Sequence, residues 1–588
     1  MDNSAIARIL REIADLLEIK DDNPFKIRAY RNGADIASNH PHDLASLDEA
    51  GLREIPGIGK DLAARIREIA TSGDAAFHRE LVAEFPPTIL DLLRLQGVGP
   101  KTVAVLYREL GVRTVDDLEA AARDGRVRAL RGMGAKKEAL ILKALEERKQ
   151  FAGRHLMAES HDVAAAVVAY LRERAPDATI DPVGSLRRGC ETCGDLDFLA
   201  TLPPGASPPL MDDFTDYPLV ERTLVRGDTK SSVLLRGGFQ ADLRIVARES
   251  RGAAMQYFTG SKAHNIALRD RAIGLGLKLN EYGVYRIDDH SRVAGETEED
   301  VYASLGLAWI PTELREMRGE IERAAAHTLP RLVDVADLRG DLHTHSTETD
   351  GKDDVRTMAA AARRAGLEYI AVTDHSQSLA MANGLDERRA LAHADLIRRL
   401  DAEGVGVRLL AGIECDIKAD GTLDLADDCL AALDIVVVSV HSAFDLDKSR
   451  MTDRLLRAIE NPHVDILGHP TGRRLLKRAP YAFDVDAVLS AAARLGVAVE
   501  INCQVERLDL NDVNARLARD RGASIVISTD AHSQTAFPRL RWGVLMARRA
   551  GLESGDVLNT LPFDRFTAAL RRNAGAAARL APLARGGR

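Results

Sequence analysis

"VGSLRRGCETCGDLDFLAT", residues 183–201, carries two aspartates two apart in a run of alternating polar and apolar residues. Alternation over DLDFLAT predicts a half-buried strand. On such a strand Asp195 and Asp197 point to one face, about 7 Å apart along the chain. Carboxylates placed this way repel unless a cation sits between them, and a hard cation such as Mg²⁺ accepts them together with phosphate oxygens. "QADLRIVA", residues 240–247, is a second alternating run, and its Asp242 completes a three-carboxylate site on a neighbouring strand. Three carboxylates around two metals suit in-line phosphoryl transfer: one metal lowers the pKa of the attacking hydroxyl, the other steadies the leaving phosphate. Upstream, GSLRR offers a glycine turn, the Ser185 hydroxyl and the guanidinium forks of Arg187 and Arg188, which suit a triphosphate. Cys190 and Cys193 form a lone C-x-x-C with no second pair at zinc spacing, which argues against a zinc site.

N-terminal to this stretch, a repeat dominates. "IPGIGKDLAARI" (55–66), "LQGVGPKTVAVL" (95–106) and "LRGMGAKKEALI" (130–141) share an apolar residue, G-x-G and the start of a helix. The glycines Gly57, Gly59, Gly97, Gly99, Gly132 and Gly134 permit tight turns. Each following helix start presents free N–H groups and the positive end of its dipole, with Lys60, Lys101, Lys136 and Lys137 alongside. Three copies in one helical segment predict helix-hairpin-helix motifs that grip a DNA backbone regardless of sequence. Residues 1–150 hold 24 Lys+Arg against 25 Asp+Glu, and the whole chain carries a net charge of −9. DNA contact is therefore local rather than the work of a global field.

The chain has 588 residues, enough for two to four domains, and its 45% hydrophobic and 29% charged residues are ordinary for a soluble globular protein. No apolar run approaches the roughly 18–20 residues that span a bilayer, and the charged, amphipathic start has no signal-peptide core. A cytoplasmic protein without membrane contact is expected.

GS-x-RR followed by GD-x-D resembles the nucleotidyltransferase palm of family X DNA polymerases, the family of DNA polymerase beta. "YFTGSKAHN" (257–265) and "LKLNEYGVY" (277–285) resemble segments of the same family's nucleotide pocket and thumb. The resemblance implies that Asp195, Asp197 and Asp242 bind Mg²⁺ or Mn²⁺ and that Asp242 helps deprotonate the primer hydroxyl. It implies Ser185, Arg188 and Gly194 on the triphosphate, and Tyr257, Phe258, Gly260 and Asn265 around the incoming deoxynucleotide. Two positions depart from the pattern. Arg65 stands where the beta enzyme has a Schiff-base lysine, and arginine cannot serve as an amine nucleophile, although Lys60 is nearby. Lys262 stands where the animal enzyme has an acidic residue.

Beyond residue 340 the pattern becomes strand and helix in alternation. Seven apolar runs, from "GDLHTHS" to "SIVISTDAHS", nearly all end in His, Asp or Glu. Such alternation predicts a parallel sheet covered on both faces, here a barrel with its site at the C-terminal strand ends. Nine candidate ligands collect there: His343, His345, Asp350, His375, Glu414, His441, His469, Asp530 and His532. Of eight histidines after residue 340, six lie at these ends. Imidazole with carboxylate suits Zn²⁺, Mn²⁺ or Fe²⁺, and nine ligands imply two or three ions that activate water to hydrolyse a phosphate ester.

H-x-H-x4-D, T-D-H, G-I-E, V-H, G-H-P and D-A-H, in that order, resemble the PHP domain. By similarity His343, His345, Glu414 and Asp530 hold one metal, Glu414, His441 and His469 a second, and Asp350, His375 and His532 a third. Asp374 and Glu500 are expected to support them, and Arg473 and Arg507 to be solvated or to meet a substrate phosphate. The expected fold class is multidomain. An all-α helix-hairpin-helix region comprises a lyase-like part (1–85) and fingers (86–155). An α+β palm (156–250) and thumb (251–318), a linker (319–340), an α/β PHP barrel of seven strands (341–575) and a tail (576–588) follow. The expected protein is a bacterial, nucleoid-associated monomer. It fills short gaps in DNA from deoxynucleoside triphosphates and trims 3′ ends, with abasic sites and 3′-phosphates as alternative barrel substrates. A phosphoesterase with an idle polymerase half and a non-enzymatic DNA-end tether are the rival readings.

Overall fold

A computed structural model describes residues 3–39, 44–86, 88–93, 95, 98–151, 153–203 and 209–571. Gly97 and the expected tail from 576 lie outside the described residues. The chain divides into two compact units, one holding the first 152 residues with Leu476–Ala479, the other the remainder.

Among the described residues of 1–152 the regular elements are all helices, and the three repeats close in the same way. Ile58 N–H donates to Ile55 O (3.0 Å), Val98 N–H to Leu95 O (3.1 Å) and Met133 N–H to Leu130 O (3.1 Å). Each turn feeds a helix: α1 (Lys60–Ser72), α2 (Pro100–Leu110) and α3 (Gly134–Phe151). Ile58, Val98 and Met133 are buried and pin each turn to the core. Gly57 has φ +90°, and a Cβ there would meet the Ile36 side chain at 2.7 Å, so both conformation and space require glycine.

In the second unit, the palm is a five-stranded sheet of β1 (Thr179–Pro182), β2 (Asp195–Thr201), β3 (Val220–Val225), β4 (Lys230–Leu235) and β5 (Gln240–Val246). Their order is β1-β2-β5-β4-β3, with only β2 and β5 parallel. Leu196, Phe198, Ala241 and Leu243 share a core with helix α4 (Met157–Arg174). The period of two therefore turns the aspartates of β2 and β5 to the opposite face. The thumb follows as α5 (Arg251–Thr259), α6 (Lys262–Gly274) and the antiparallel strands β6 (Leu277–Asn280), β7 (Gly283–Arg286) and β8 (Arg292–Ala294).

A buried ion cluster helps bolt palm to thumb. Arg187 donates to both Glu298 oxygens (2.9 and 2.6 Å) and to Thr259 Oγ1 (2.7 Å), and Arg315, fully buried, donates to Glu298 Oε1 (2.7 Å). Burial works against an ionised Glu298, but the Arg187 fork and Arg315 hold its carboxyl at about 2. Arg187 thus serves the thumb joint, and the triphosphate role its position in GSLRR suggested does not fit this commitment. Residues 319–340, read as a connector, are packed at both ends. Ile321 and Ala324 enter the thumb core, and Val333 and Leu338 enter that of the barrel.

The barrel runs in chain order: β9 (Gly340–Thr344), β10 (Tyr369–Val372), β11 (Arg408–Asp416), β12 (Ile435–Ser439), β13 (Ile466–Leu467), β14 (Ala498–Asn502) and β15 (Ile525–Ser528). All six neighbouring pairs are parallel. His345 N–H donates to Ala531 O (2.8 Å) and Ala531 N–H to His343 O (3.2 Å), drawing the end of β15 onto β9. Helix α7 (Leu540–Ala550) meets the palm: Arg549 donates to Arg188 O (2.7 Å), and a Cβ on Gly189 would strike Leu545 at 2.5 Å.

Glu298→Gln strands Arg187 and Arg315 and is expected to destabilise the protein by about 3 kcal/mol at pH 7. The lowered pKa makes the sign definite. The parent's advantage is present above the unfolded carboxyl value and disappears as pH falls from about 4.5 towards about 2. Urea unfolding of both proteins across that range is the check, with the gap between them closing in acid.

Candidate active sites

The palm site begins from strand register. Asp195 is opposite Gln240, and Asp197 is directly opposite Asp242 on the adjoining parallel strand. Burial first, then Asp195 and Asp242, raise the Asp197 carboxyl to about 6, against the pull of Arg244 and Lys230. Asp242 meets Lys230 Nζ at 3.4 Å and accepts from Gln240 Nε2 at 3.2 Å. The trio are neighbours by register but are not gathered as closely as the barrel ligands described below. Gly184, at φ +68°, lies against Asp197: a Cβ there would be 2.6 Å from Asp197 Oδ2. The glycine of GSLRR therefore makes room for the carboxylate as well as the turn.

The expected nucleotide residues surround this edge. Ser185 and Gly194 are half-buried beside β2. Arg188 donates to Glu316 Oε1 (3.0 Å) and to Thr259 O (2.5 Å), and its Nη1 would be 3.3 Å from a Cβ on Gly260. Tyr257 and Phe258 meet edge to face at 5.1 Å, and Arg244 lies 4.6 Å above Phe258. Asn265 donates to Tyr257 O (2.7 Å) and accepts from Gln256 (2.7 Å), locking the turn between α5 and α6. Lys262 is exposed at the start of α6.

In the first unit, Gly57, Gly59, Gly99, Gly132, Gly134, Lys60 and Lys101 are all exposed. Gly59 and Gly99 have ordinary φ values of −80° and −84°, and no described atom lies within 4 Å of a Cβ built on either. Neither conformation nor packing demands glycine there. Lys137 donates to Thr102 Oγ1 (3.0 Å). Arg65 pairs with Glu68 at 2.9 Å.

The barrel site is built around Glu414, at the end of β11. Its Oε2 lies 2.9 Å from His375 Nδ1, 3.3 Å from His343 Nε2 and 3.7 Å from His345 Nε2. Its Oε1 lies 2.9 Å from His469 Nε2 and 3.4 Å from His441 Nε2. Asp530 Oδ1 meets His345 Nε2 at 3.2 Å and His532 Nδ1 at 3.5 Å. Asp350 reaches His532 Nε2 at 3.3 Å and His375 Nε2 at 3.5 Å. All nine predicted residues therefore share one cluster. Within it, His345, Asp350, His375 and His532 gather ligand atoms within 4.8 Å, as do His343, His345 and Asp530, and His375, Glu414 and His441. These groupings shift His345 and His375 between the sets implied by resemblance, and His469 joins through Glu414.

The donor set fits divalent cations. His343 Nε2, both nitrogens of His345, His375 Nδ1 and His469 Nδ1 are buried and make no well-aligned hydrogen bond among the described residues, although carboxylate oxygens stand 3.3, 3.2 and 2.9 Å from His343 Nε2, His345 Nε2 and His375 Nδ1. Buried polar atoms are rarely left so, and imidazole nitrogens beside carboxylates are ready ligands. His469 and Asp530 hold φ values of +24° and +53°, strain that a functional site sustains. Burial would discharge His375 and His441, but Glu414 together with Asp350 or Asp416 raises them to about 10 and about 9. Glu500 Oε1 holds His343 Nδ1 at 2.8 Å. Asp374 instead accepts from the Ser346 N–H and hydroxyl (2.8 and 2.6 Å) and meets Nε2 of His393, outside the nine, at 2.9 Å. Sequence reasoning missed Asp416, which lies 3.4 Å from His441 Nδ1, although its signal was present two residues beyond Glu414 on the same strand. Arg473 donates to the carbonyls of Arg507 and Leu508 and pairs with Glu191 of the palm (2.7 Å). Arg507 stands 3.8 Å from Asp530.

Comparison with known proteins agrees domain by domain. Residues 1–75 match the helix-hairpin-helix domain and 89–147 the SAM-like helix-hairpin-helix tandem. Residues 157–226 match the DNA polymerase beta palm, 254–316 the DNA polymerase beta thumb, and 341–504 the PHP domain. The DNA polymerase/3′-5′ exonuclease PolX of Bacillus subtilis (strain 168) is 36% identical over 575 residues, covering 97% of this chain and 100% of the relative. The chain belongs to the family X DNA polymerases that carry a PHP domain. Probable phosphatases of Thermoanaerobacter sp. (strain X514) and Shewanella sediminis (strain HAW-EB3) are each 32% identical, aligned to 37% and 38% of this chain and to 89% of their own length. Membership in family X implies a DNA substrate and dependence on divalent metal ions. Among the described residues no helix of this family X chain is long and apolar enough to cross a membrane.

Two outcomes follow from the geometry. Gly184→Ala is expected to displace Asp197 and slow primer extension about a hundredfold while phosphodiester cleavage by the barrel is unchanged. Paired assays on one preparation decide it. Mn²⁺ binding to the metal-free barrel at pH 7 is expected to displace protons, because neighbouring carboxylates raise His343, His375, His441 and His532 above the ordinary imidazole value, and to weaken as pH falls. Calorimetric titration in buffers of different ionisation enthalpy counts them.

Proposed function

We propose that the protein fills short gaps during bacterial DNA repair and trims 3′ ends with its barrel. The observation that carries this reading is that one chain presents both a register-matched carboxylate pair, Asp197 opposite Asp242, and a nine-residue imidazole–carboxylate cluster. Asp195, Asp197 and Asp242 would hold Mg²⁺ or Mn²⁺. Metal ions held there acidify a primer hydroxyl and offset charge on departing pyrophosphate. Asp242 Oδ would receive the hydroxyl proton, and Lys230 Nζ, 3.4 Å away, offsets its charge. Ser185, Arg188 and Gly194 orient the triphosphate of a deoxynucleotide. Tyr257, Phe258, Gly260 and Asn265 shape the sugar and base pocket, whose aromatic pair leaves little room for a 2′-hydroxyl. The exposed glycines 59 and 99 let DNA phosphates approach the N-termini of α1 and α2, with Lys60, Lys101 and the third hairpin at Gly132 and Gly134 alongside. The nine barrel residues would hold two to three Zn²⁺, Mn²⁺ or Fe²⁺ ions, with Glu414 shared between them. Such ions activate water and polarise a phosphodiester. Glu500 and Asp416 keep the rings of His343 and His441 turned inward.

The named exonuclease relative supports cleavage of a 3′-terminal phosphodiester, and the probable phosphatases extend this reading to 3′-phosphates. Abasic sites complete the set of barrel substrates. The protein acts as a cytoplasmic, nucleoid-associated monomer.

A gapped duplex assayed with and without deoxynucleotides separates the two sites. Asp195→Ala/Asp197→Ala is expected to abolish extension and retain nucleotide release. His343→Ala is expected to do the reverse. A parent protein that never extends a primer in Mg²⁺ or Mn²⁺ would overturn the polymerase reading, and nucleotide release that vanishes in His343→Ala would then favour the phosphoesterase over the tether.

A further inference from the structure

Away from both metal sites, a crevice between the thumb and the barrel is lined by Arg318, Arg323, Arg516, Arg519 and Arg549. It opens to solvent, and its enclosed part, about 20 Å³, has room for a single water, so a larger ligand would sit at its mouth. Like charges do not converge on a cavity without cause, so the opposing charges decide its character. Asp512 takes Arg318 (3.0 Å) and Arg549 (2.9 Å), and Asp520 takes Arg519 (2.7 Å) with Arg516 at 4.0 Å. Glu316 reaches Arg549 (3.0 Å) but also faces Arg188 (3.0 Å). Glu320, the acid lining the crevice, accepts instead from His264 (2.7 Å) and from two backbone N–H groups (2.9 and 2.6 Å). Arg323 has no carboxylate within ion-pair distance among the described residues, and its Nε is used on Thr328 O (3.1 Å). Arg516 uses one Nη on Arg318 O (2.8 Å). Burial first, then Arg519, with Arg318 and Arg323 behind, hold the Arg516 guanidinium below its ordinary range against the pull of Asp520, a sign of positive charge only partly matched.

We propose that the mouth of this crevice binds a single phosphate-class oxyanion group, presented either by a DNA backbone or by a free di- or triphosphate. The guanidinium ends of Arg323, Arg516 and Arg318 supply planar donor forks suited to that geometry. Arg549 and Asp512 tie the crevice to Arg188 through Glu316, so an anion seated here bears on the same ion network that holds the triphosphate edge of the palm.

The test uses the full chain in excess EDTA, so that neither metal site contributes, with inorganic pyrophosphate as the probe. Binding is followed by calorimetry and by thermal unfolding. The parent is expected to bind saturably and to gain melting temperature. Arg323→Gln and Arg516→Gln are each expected to weaken binding about tenfold, equivalent to one lost charge-assisted contact. Without pyrophosphate each is expected to melt at the parent's temperature or above it, because crowding of like charges is relieved. A merely structural arginine would give the opposite sign. Variants that bind pyrophosphate as the parent does, or that melt lower with binding intact, overturn the proposal. Labelled gapped DNA then separates the sources. A salt slope reduced by about one in the variants assigns the site to a DNA phosphate. An unchanged slope, with pyrophosphate binding lost, assigns it to a free anion.

Discussion

Glu414 is 1% exposed and lies within 3.7 Å of five imidazoles. A carboxylate removed so fully from water is tolerable only beside compensating charge, because desolvation alone costs several kcal/mol per ion. Protonated histidines can supply that charge, and so can cations seated among neutral ones. The barrel is the device that brings the rings to one point. Six histidines and three acids arrive on segments far apart in sequence, and parallel strands in chain order deliver them at the same end. The two left-handed backbone conformations, at His469 and Asp530, show the fold bending to serve the cluster.

The palm solves a similar problem with fewer parts. Asp197 and Asp242 face each other across a parallel pair, and their mutual repulsion with Asp195 adds to burial in raising Asp197 to about 6. Lys230 meets Asp242, and Gly184 yields space to Asp197. A site that is electrostatically frustrated by itself is one that binds cations well, since the ion relieves a penalty the fold already carries.

Much of this was legible because the periodicity of strands writes function into spacing. Asp195, Asp197 and Asp242 were readable as one face of two strands, and the barrel ligands as residues at strand ends. The three hairpins were readable as a repeat. What escaped was long-range. Glu298 lies 111 residues from Arg187, so nothing local marked GSLRR's first arginine as a thumb bolt instead of a phosphate ligand. Residues 319–340 looked like a connector because their apolar positions are sparse, yet Ile321 and Leu338 belong to different cores. Asp416 was visible but its partner was not, since the pairing with His441 depends on how adjoining strands are staggered. The reassortment of His345 and His375 among ligand groups is likewise a matter of side-chain distances that no motif spells out.

Arg549 reaches across from the barrel to the carbonyl of Arg188, and Leu545 fills the space that glycine at 189 leaves open. A truncated chain ending near residue 340 would lose both and expose a seam shaped for a missing half. The palm and the barrel are therefore fitted to one another along this seam. Neither half is free to drift in shape, because each has become part of the other's scaffold.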